Sequence, residues 1–509
     1  MALYALSQRF KLSKNESLFL ILLICFAIVL RVWGLGVAGF NNDEAIYSGQ
    51  AATLAGKEDF QNHFSIFRAH PLLLQSMVSV MIWIFGVSDT VARIVPAVLG
   101  ILTIMVTYLI GRTLFDKKMA MVSAIVITVL PYHILLSRQV LLDVSLSFFY
   151  TLTLYFLVRH WKNPKNVIWL YLIGACAGLS FLSKEVGIFA LFTSIICLLL
   201  IKSISFRTVF IITASFLLAS SPYWIPILTV PEAHETAIKY WNWQRSRDPN
   251  QPELFYANLI SQEALGYILT GLCAVSLLYA IKTGSVKKPE IFMILVWIAV
   301  PLALFNLLAV KGFAFVLPII PAFVLLGISF LFGNWSKKLP GHTILVLGII
   351  PLIFVFSGPP LHYLFQIPPI NLVGSGEEPY AKEGALWIKN NLPPGKFLTM
   401  DIRTANIIKY YSNNEAFSLH SNQNPAYTRL DNPDLAILNG EIKYLVYEVY
   451  LAERFGYLQE EQDEITELVT KYNGIPIHTE YQNFIDEHGH SAIKPALIIY
   501  TLNTPEEKK

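Results

Sequence analysis

The feature that leaves this chain the fewest choices is the recurrence of apolar runs long enough to cross a bilayer. A crossing takes about 20 mostly apolar residues, and irregular backbone cannot face lipid, so each run must be a helix. Such runs fall near 17–36, 91–112, 119–136, 144–160, 167–183, 186–202, 206–228, 263–282, 289–309, 312–333 and 341–358. About eleven crossings result, which makes an all-α polytopic membrane domain the expected fold. Only 14% of the 509 residues are charged and 54% are hydrophobic, against about 25% charged in soluble domains.

Basic loops orient the helices. Lys117-Lys118, the run Arg159 to Lys165, Lys202 with Arg207, Lys287-Lys288 and Lys337-Lys338 all follow even-numbered runs. Positive loops stay in the cytoplasm, which puts the basic N-terminus, with Arg9, Lys11 and Lys14, there too. No small-residue cleavage site follows the first run, so it reads as a retained helix rather than a leader. The opposite face receives Phe40–Tyr47, residues 137–143, Lys184, the 229–262 loop and everything after the last crossing. The apolar stretch 70–86 is marginal in length; a crossing there would move every later basic loop outside, so it is expected to lie at the outer interface.

Beyond Phe356 the character changes. Residues 359–379 read as a Pro/Gly-rich linker between a membrane domain, 1–358, and a small C-terminal α/β extracytoplasmic domain, 380–509. In the latter, helices are expected at 380–392 and 458–473, and strands at KFLTMDI, KYLVYEVY, IPIHTEY and ALIIYTL. From Gly374 onward there are 12 Lys and Arg against 20 Asp and Glu, a balance of −8, so of the total of +3 the rest carries +11. That positive charge follows from membrane orientation, and no nucleic-acid motif accompanies it.

Chemistry-bearing residues gather on the outer face. Asn41 or Asn42 can cap a helix whose first turn holds Asp43 and Glu44, with Tyr47 one turn on. On its own such a pair reads first as a cap. Its surroundings change the reading: Arg138 and Asp143 flank one membrane edge, Lys184 lies between two apolar runs with almost no loop, and Lys311 stands between two more. A charge at mid-membrane costs about 2.5–3.5 kcal/mol, so such residues usually have a partner or a task; snorkelling to the headgroups is the bland alternative. His70, Arg68 and Arg245, the last beside Trp241 and Trp243, add to the set. Carboxylates beside cations at a bilayer surface suit a sugar joined to a lipid phosphate: cations stabilise the departing phosphate while a carboxylate takes the proton of an attacking hydroxyl. Cys25, Cys176, Cys197 and Cys273 sit in apolar runs and read as small buried hydrophobes. His234 with Glu235, and His488 with His490, lack a convincing metal-ligand set, so no cofactor is expected and a divalent metal is an open but unsupported alternative.

At these residues the sequence resembles the GT-C membrane glycosyltransferases, in the group of the protein O-mannosyltransferases and the lipid A aminoarabinose transferase. DEAIY, FRAHPLL, ARIVPAVLG, SRQVLLDVSLSFF, GLSFLSKEVG and KGFAFVLPIIPAF occur in the family's order over roughly residues 15–330. The resemblance implies a polyprenyl-phosphate sugar donor, inversion at the sugar carbon, and no direct use of nucleotide sugars. It implies Asp43 as base with Glu44 in support, and phosphate contacts from Arg138 and Lys184, with His70 and Lys311 further candidates. Tyr47, Asp143, Arg68 and Arg245 would support the substrate. A protein hydroxyl, a glycolipid or a cell-envelope glycan would accept the sugar, and a prokaryotic plasma membrane would house the enzyme. One departure concerns the acceptor: the family's acidic residue before a His- or Lys-Pro-Pro-Leu is absent from Phe67-Arg68-Ala69-His70-Pro71-Leu72. The rival readings are a lipid-linked sugar flippase and a scaffold that recruits a partner. A flippase would place charges near the midplane and show repeated halves, and no repeat is found.

Overall fold

A computed structural model describes residues 13–66, 70–332, 348–353, 379–420, 430, 432–454, 456–485 and 491–502. Arg68, His488, His490, residues 359–378 of the linker and most of the 341–358 run lie outside the described residues.

Ten of the eleven expected runs are apolar helices. Six are long enough to cross singly: Lys14–Val32, Asp89–Leu114, Leu142–Lys162, Phe206–Thr229, Pro289–Leu307 and Phe313–Leu331. Two are broken. Lys117–Val129 and Pro131–Ser137 meet at 61°, because Pro131 has no N–H to continue the ladder and its ring opposes the preceding turn. Phe255–Ala264 and Gly266–Lys282 meet at 113°. The bend there passes through a π-helical turn, Leu259–Ala264, and through Gly266, whose φ of 70° suits a residue without a Cβ. The remaining two, near 168–183 and 185–200, are shorter. The protein is a multi-pass membrane protein. The 70–86 stretch forms a 13-residue helix, Leu73–Phe85, only about 20 Å long against a hydrocarbon core of about 30 Å. All four cysteines are free; three are buried, but Cys25 is exposed, contrary to expectation.

The chain folds into two compact units. The first comprises 1–35, 93–221 and 249–366; the second comprises 36–92, 222–248 and 367–509.

In the first unit, small residues let helices approach closely. A Cβ at Gly178 would stand 2.7 Å from Ala219 Cβ, so glycine there admits the Phe206–Thr229 helix. Hydroxyl pairs join neighbouring helices, Ser145 to Ser183 and Tyr150 to Thr193, each at 2.6 Å. Arg31, fully buried, donates to the Thr128 carbonyl (3.2 Å) and meets His133 Nδ1 at 2.9 Å. It thereby spans the break before Pro131, where the carbonyls ending one helix lack a partner.

The second unit contains a five-stranded sheet of order β2-β1-β3-β5-β4, with β1 Lys396–Asp401, β2 Glu415–His420, β3 Ile442–Tyr447, β4 Ile475–Ile485 and β5 Ser491–Thr501. β1 runs parallel to β2 and β3, while β5 is antiparallel to β3 and β4. β1 is buried almost throughout, as a central parallel strand must be. The expected helices are Pro379–Asn391 and Gln459–Lys471, and all four expected strands are present. The Ile402–Ser412 helix, capped by Asp401, and β2 after it had no sequence signal strong enough to place them.

Candidate active site

The acidic pair opens a 13-residue helix, Asn42–Leu54. Asn41 is the cap: its Oδ1 accepts the Glu44 amide at 3.0 Å, and Glu44 Oε2 accepts the Asn41 amide at 3.3 Å. This reciprocal box satisfies two helix-end donors, and it separates the two acids. Glu44 is 1% exposed, with its carboxylate committed to the cap. Asp43 is half-buried and takes a hydrogen bond from Asn42 Nδ2 at 3.3 Å on Oδ1. Tyr47 is half-buried one turn on. Polar and tight contacts hold the rest of the helix: Gln50 meets Gln75 at 3.1 Å, and the absence of a side chain at Gly49 leaves room for the Phe64 ring.

In the same unit, His70 Nε2 meets Tyr240 Oη at 2.9 Å, and Gln244 donates to that hydroxyl at 2.6 Å. Tyr240 belongs to the Pro231–Ser246 helix. On another face of that helix Arg245 lines a cleft of about 300 Å³ with Trp224, Ile227, His234 and Trp241.

In the first unit, the cations are arranged around helix ends. Lys184 terminates the Ile168–Ser183 helix in an extended conformation (φ −163°, ψ 145°). Gly187 permits the tight turn that follows, since a Cβ there would lie 2.1 Å from the Ser180 carbonyl oxygen. Asp143 occupies the first turn of the Leu142–Lys162 helix. A cation at a helix C-terminus and an anion at an N-terminus each match the dipole. The two meet there: Lys184 Nζ lies 2.9 Å from both Asp143 oxygens, with 15% and 8% of the side chains exposed. The ammonium also sits 4.0 Å from the Phe315 ring centroid. Arg138 closes the short Pro131–Ser137 helix and donates to the Leu30 carbonyl at 3.1 Å. Lys311 spends its ammonium on the Pro252 carbonyl at 2.9 Å, while its backbone pairs with Asn250.

Within one unit, then, Asp143 is joined to Lys184; within the other, Asp43 is joined to Glu44's cap and His70 to Tyr240. Lys311 and Arg138 donate to backbone oxygens of Pro252 and Leu30. Among the described residues no group of three or more His, Cys, Asp or Glu side chains gathers in a metal-binding arrangement. Sequence reasoning missed the partners of the capped helix in the C-terminal region. Asn406 Nδ2 donates to Asn42 Oδ1 at 2.9 Å, and Tyr411 Oη accepts the Phe40 amide at 2.9 Å. Both lie on the unplaced Ile402–Ser412 helix.

Similar folds occur among known structures. ArnT from Cupriavidus metallidurans, solved with undecaprenyl phosphate, superposes with a TM-score of 0.71 at 15% identity, covering 96% of this chain and 98% of that one. The chain has the GT-C fold. The Archaeoglobus fulgidus oligosaccharyltransferase in complex with Zn and sulfate shares this GT-C fold with a TM-score of 0.61 at 14% identity, over 96% of this chain and 74% of its own. Residues 69–225 match the family model for dolichyl-phosphate-mannose-protein mannosyltransferase. An uncharacterized protein of Aquifex aeolicus (strain VF5) is 26% identical over 357 residues, 67% of this chain and 70% of that protein.

Proposed function

We propose that the protein is an inverting glycosyltransferase that moves a sugar from a polyprenyl-phosphate donor to an acceptor hydroxyl at the extracytoplasmic membrane face. The observation that carries this reading is the difference between the two acids: buried Glu44 closes the helix cap through the Asn41 amide, while half-buried Asp43, beside it in the first turn, takes the Asn42 amide on Oδ1. The GT-C fold supports the reading, as does the undecaprenyl phosphate bound by ArnT in its own structure. So does the dolichol-phosphate held with an inhibitory peptide by the Archaeoglobus fulgidus oligosaccharyltransferase AglB.

In this mechanism Asp43 takes the proton of the acceptor hydroxyl as its oxygen attacks the sugar carbon. The new C–O bond forms as the bond to phosphate breaks, the electron pair leaves with the polyprenyl phosphate, and configuration inverts. Arg138 and Lys184 stabilise the charge on the departing phosphate; in comparable sites one preorganised partner is worth about 2.7–4 kcal/mol. Asp143 holds the Lys184 ammonium in place. His70, Lys311, Tyr47, Arg68 and Arg245 complete the substrate surroundings.

Residues 1–358 carry the transferase with a cytoplasmic N-terminus, and 359–379 link them to the outer domain, 380–509, in a prokaryotic plasma membrane. The outer domain and the 229–262 loop select among protein, glycolipid and cell-envelope glycan acceptors; exchanging the domain without changing the acceptor would contradict this. The direct test offers the purified protein a panel of labelled polyprenyl-phosphate sugars with membrane extracts. One donor should be consumed and one acceptor class labelled. Consumption of none across hexoses and pentoses would refute the proposal.

A further inference from the structure

We infer that the C-terminal α/β region does more than select an acceptor: Asn406 and Tyr411 are positioning residues that hold Asp43 in its working orientation. This rests on the reading of Asp43 as the base.

The coupling runs through the hydrogen-bonding capacity of one amide. Asn42 has an acceptor end and a donor end. Asn406, 2% exposed, donates to the acceptor end at 2.9 Å. The donor end is thereby turned to Asp43, where it meets Oδ1 at 3.3 Å. The C-terminal region thus decides which end of Asn42 faces the carboxylate. The donor end favours the ionised form that a base requires, whereas a carbonyl there would oppose it.

The segment leading into the helix is held by a second set of bonds. Tyr411 Oη accepts the Phe40 amide and donates to Asp89 Oδ2, both at 2.9 Å, and Lys382 Nζ reaches the same carboxylate oxygen at 2.7 Å. Phe40 is 1% exposed and immediately precedes the Asn41 cap. Its ring packs on Tyr410 at 4.9 Å. Apolar packing alone tolerates sliding; buried hydrogen bonds to both sides of the cap fix direction. Nothing in the capping box needs Asn406 or Tyr411, because Asn41 and Glu44 complete it between themselves. The two C-terminal residues therefore act on the helix's placement and on Asn42, not on its formation.

The test compares full-length wild type with Tyr411→Phe, Asn406→Ala and Asn406→Asp. Asn406→Asp is the decisive variant. An aspartate only accepts, so Asn42 must turn its amide to it and present its carbonyl to Asp43. Three quantities are read: hydrogen exchange across residues 40–47, affinity for undecaprenyl phosphate, and turnover of a labelled polyprenyl-phosphate sugar. Exchange should quicken in Tyr411→Phe and Asn406→Ala, with lipid affinity within about twofold of wild type. Turnover should fall by about a hundredfold in Asn406→Asp, the scale of a misplaced reacting group, and by less in Asn406→Ala, with donor KM little changed. Unchanged exchange in both milder variants, wild-type turnover in Asn406→Asp, or lipid affinity falling in step with turnover would overturn the inference. If wild type consumes no donor, the transferase reading fails, and the exchange measurement still decides whether the clamp exists.

Discussion

The acid helix and the cation sites solve opposite problems. The acid helix, Asn42–Leu54, is built locally: Asn41 and Glu44, three residues apart, cap it. It is then placed from far along the chain by Asn406 and Tyr411. The cations of the first unit stand at the ends of apolar helices, buried or half-buried, where an unpaired charge is costly. Each is therefore neutralised or held by what is near: Lys184 by Asp143, Arg138 by the Leu30 carbonyl, Lys311 by the Pro252 carbonyl. In the first region a half-buried carboxylate is positioned by a capped helix; in the second, buried charge is balanced by nearby oxygens.

Mutation can break this contrast, and the largest effect should fall on the acid. Asp43→Asn should lower turnover by about 10²–10⁴-fold, the usual worth of a general base, with the melting temperature nearly unchanged. Equal activity in the variant would remove Asp43 from the chemistry.

The paired cation should respond through stability as well as activity. Lys184→Met leaves a buried Asp143 carboxylate without its ammonium and should cost about 3–5 kcal/mol, read by thermal unfolding in detergent. The double variant Lys184→Met with Asp143→Asn should recover much of that stability and none of the turnover. If the double variant is no more stable than Lys184→Met alone, the pair is not the energetic unit described here.

Glu44 sharpens the comparison from the other side. Glu44→Ala loses half of the capping box and should destabilise by about 1 kcal/mol. Its lipid affinity should be unchanged, and its turnover should fall far less than in Asp43→Asn. A loss as large as that of Asp43→Asn would show that Glu44 acts in the chemistry itself.

The smallest effect concerns His63, which precedes Phe64 beneath the acid helix. Burial lowers its pKa, and neighbouring Lys409 adds to the shift, although a hydrogen bond with Asn413 partly opposes it. The folded state therefore binds fewer protons than the unfolded chain between the depressed value and the ordinary 6.5. Stability should be fully present above about 6.5 and decline as pH falls through that window. Exchange across 58–66, corrected for the intrinsic pH dependence of amide exchange, should rise as pH falls over the same range in wild type and show no such rise in His63→Asn.

Much of this was legible in the sequence where the determinant is local. The apolar runs gave the helices, NNDE gave the cap, and the glycines of GLSFLSKEVG accompany the tight turn at Lys184. Composition could not place what depends on distant partners. The break at Pro131 lies inside a run that is apolar throughout, and Arg31 bridges it from about a hundred residues away. The Ile402–Ser412 helix has buried polar residues, Asn406 among them, and Asn406 meets Asn42 of the acid helix. Its pattern therefore does not look like a buried helix until the partner is in place. The Lys311 amine is engaged by the Pro252 carbonyl, a loop partner that no motif marks.

The most direct measurement of the account uses one donor and two proteins. Wild type and Asp43→Asn are each given a polyprenyl-phosphate sugar of known anomeric configuration, and donor binding, sugar release and product configuration are followed together. The account predicts equal binding, transfer by wild type alone, and a product of inverted configuration. Retention of configuration, or transfer by Asp43→Asn at the wild-type rate, would contradict it.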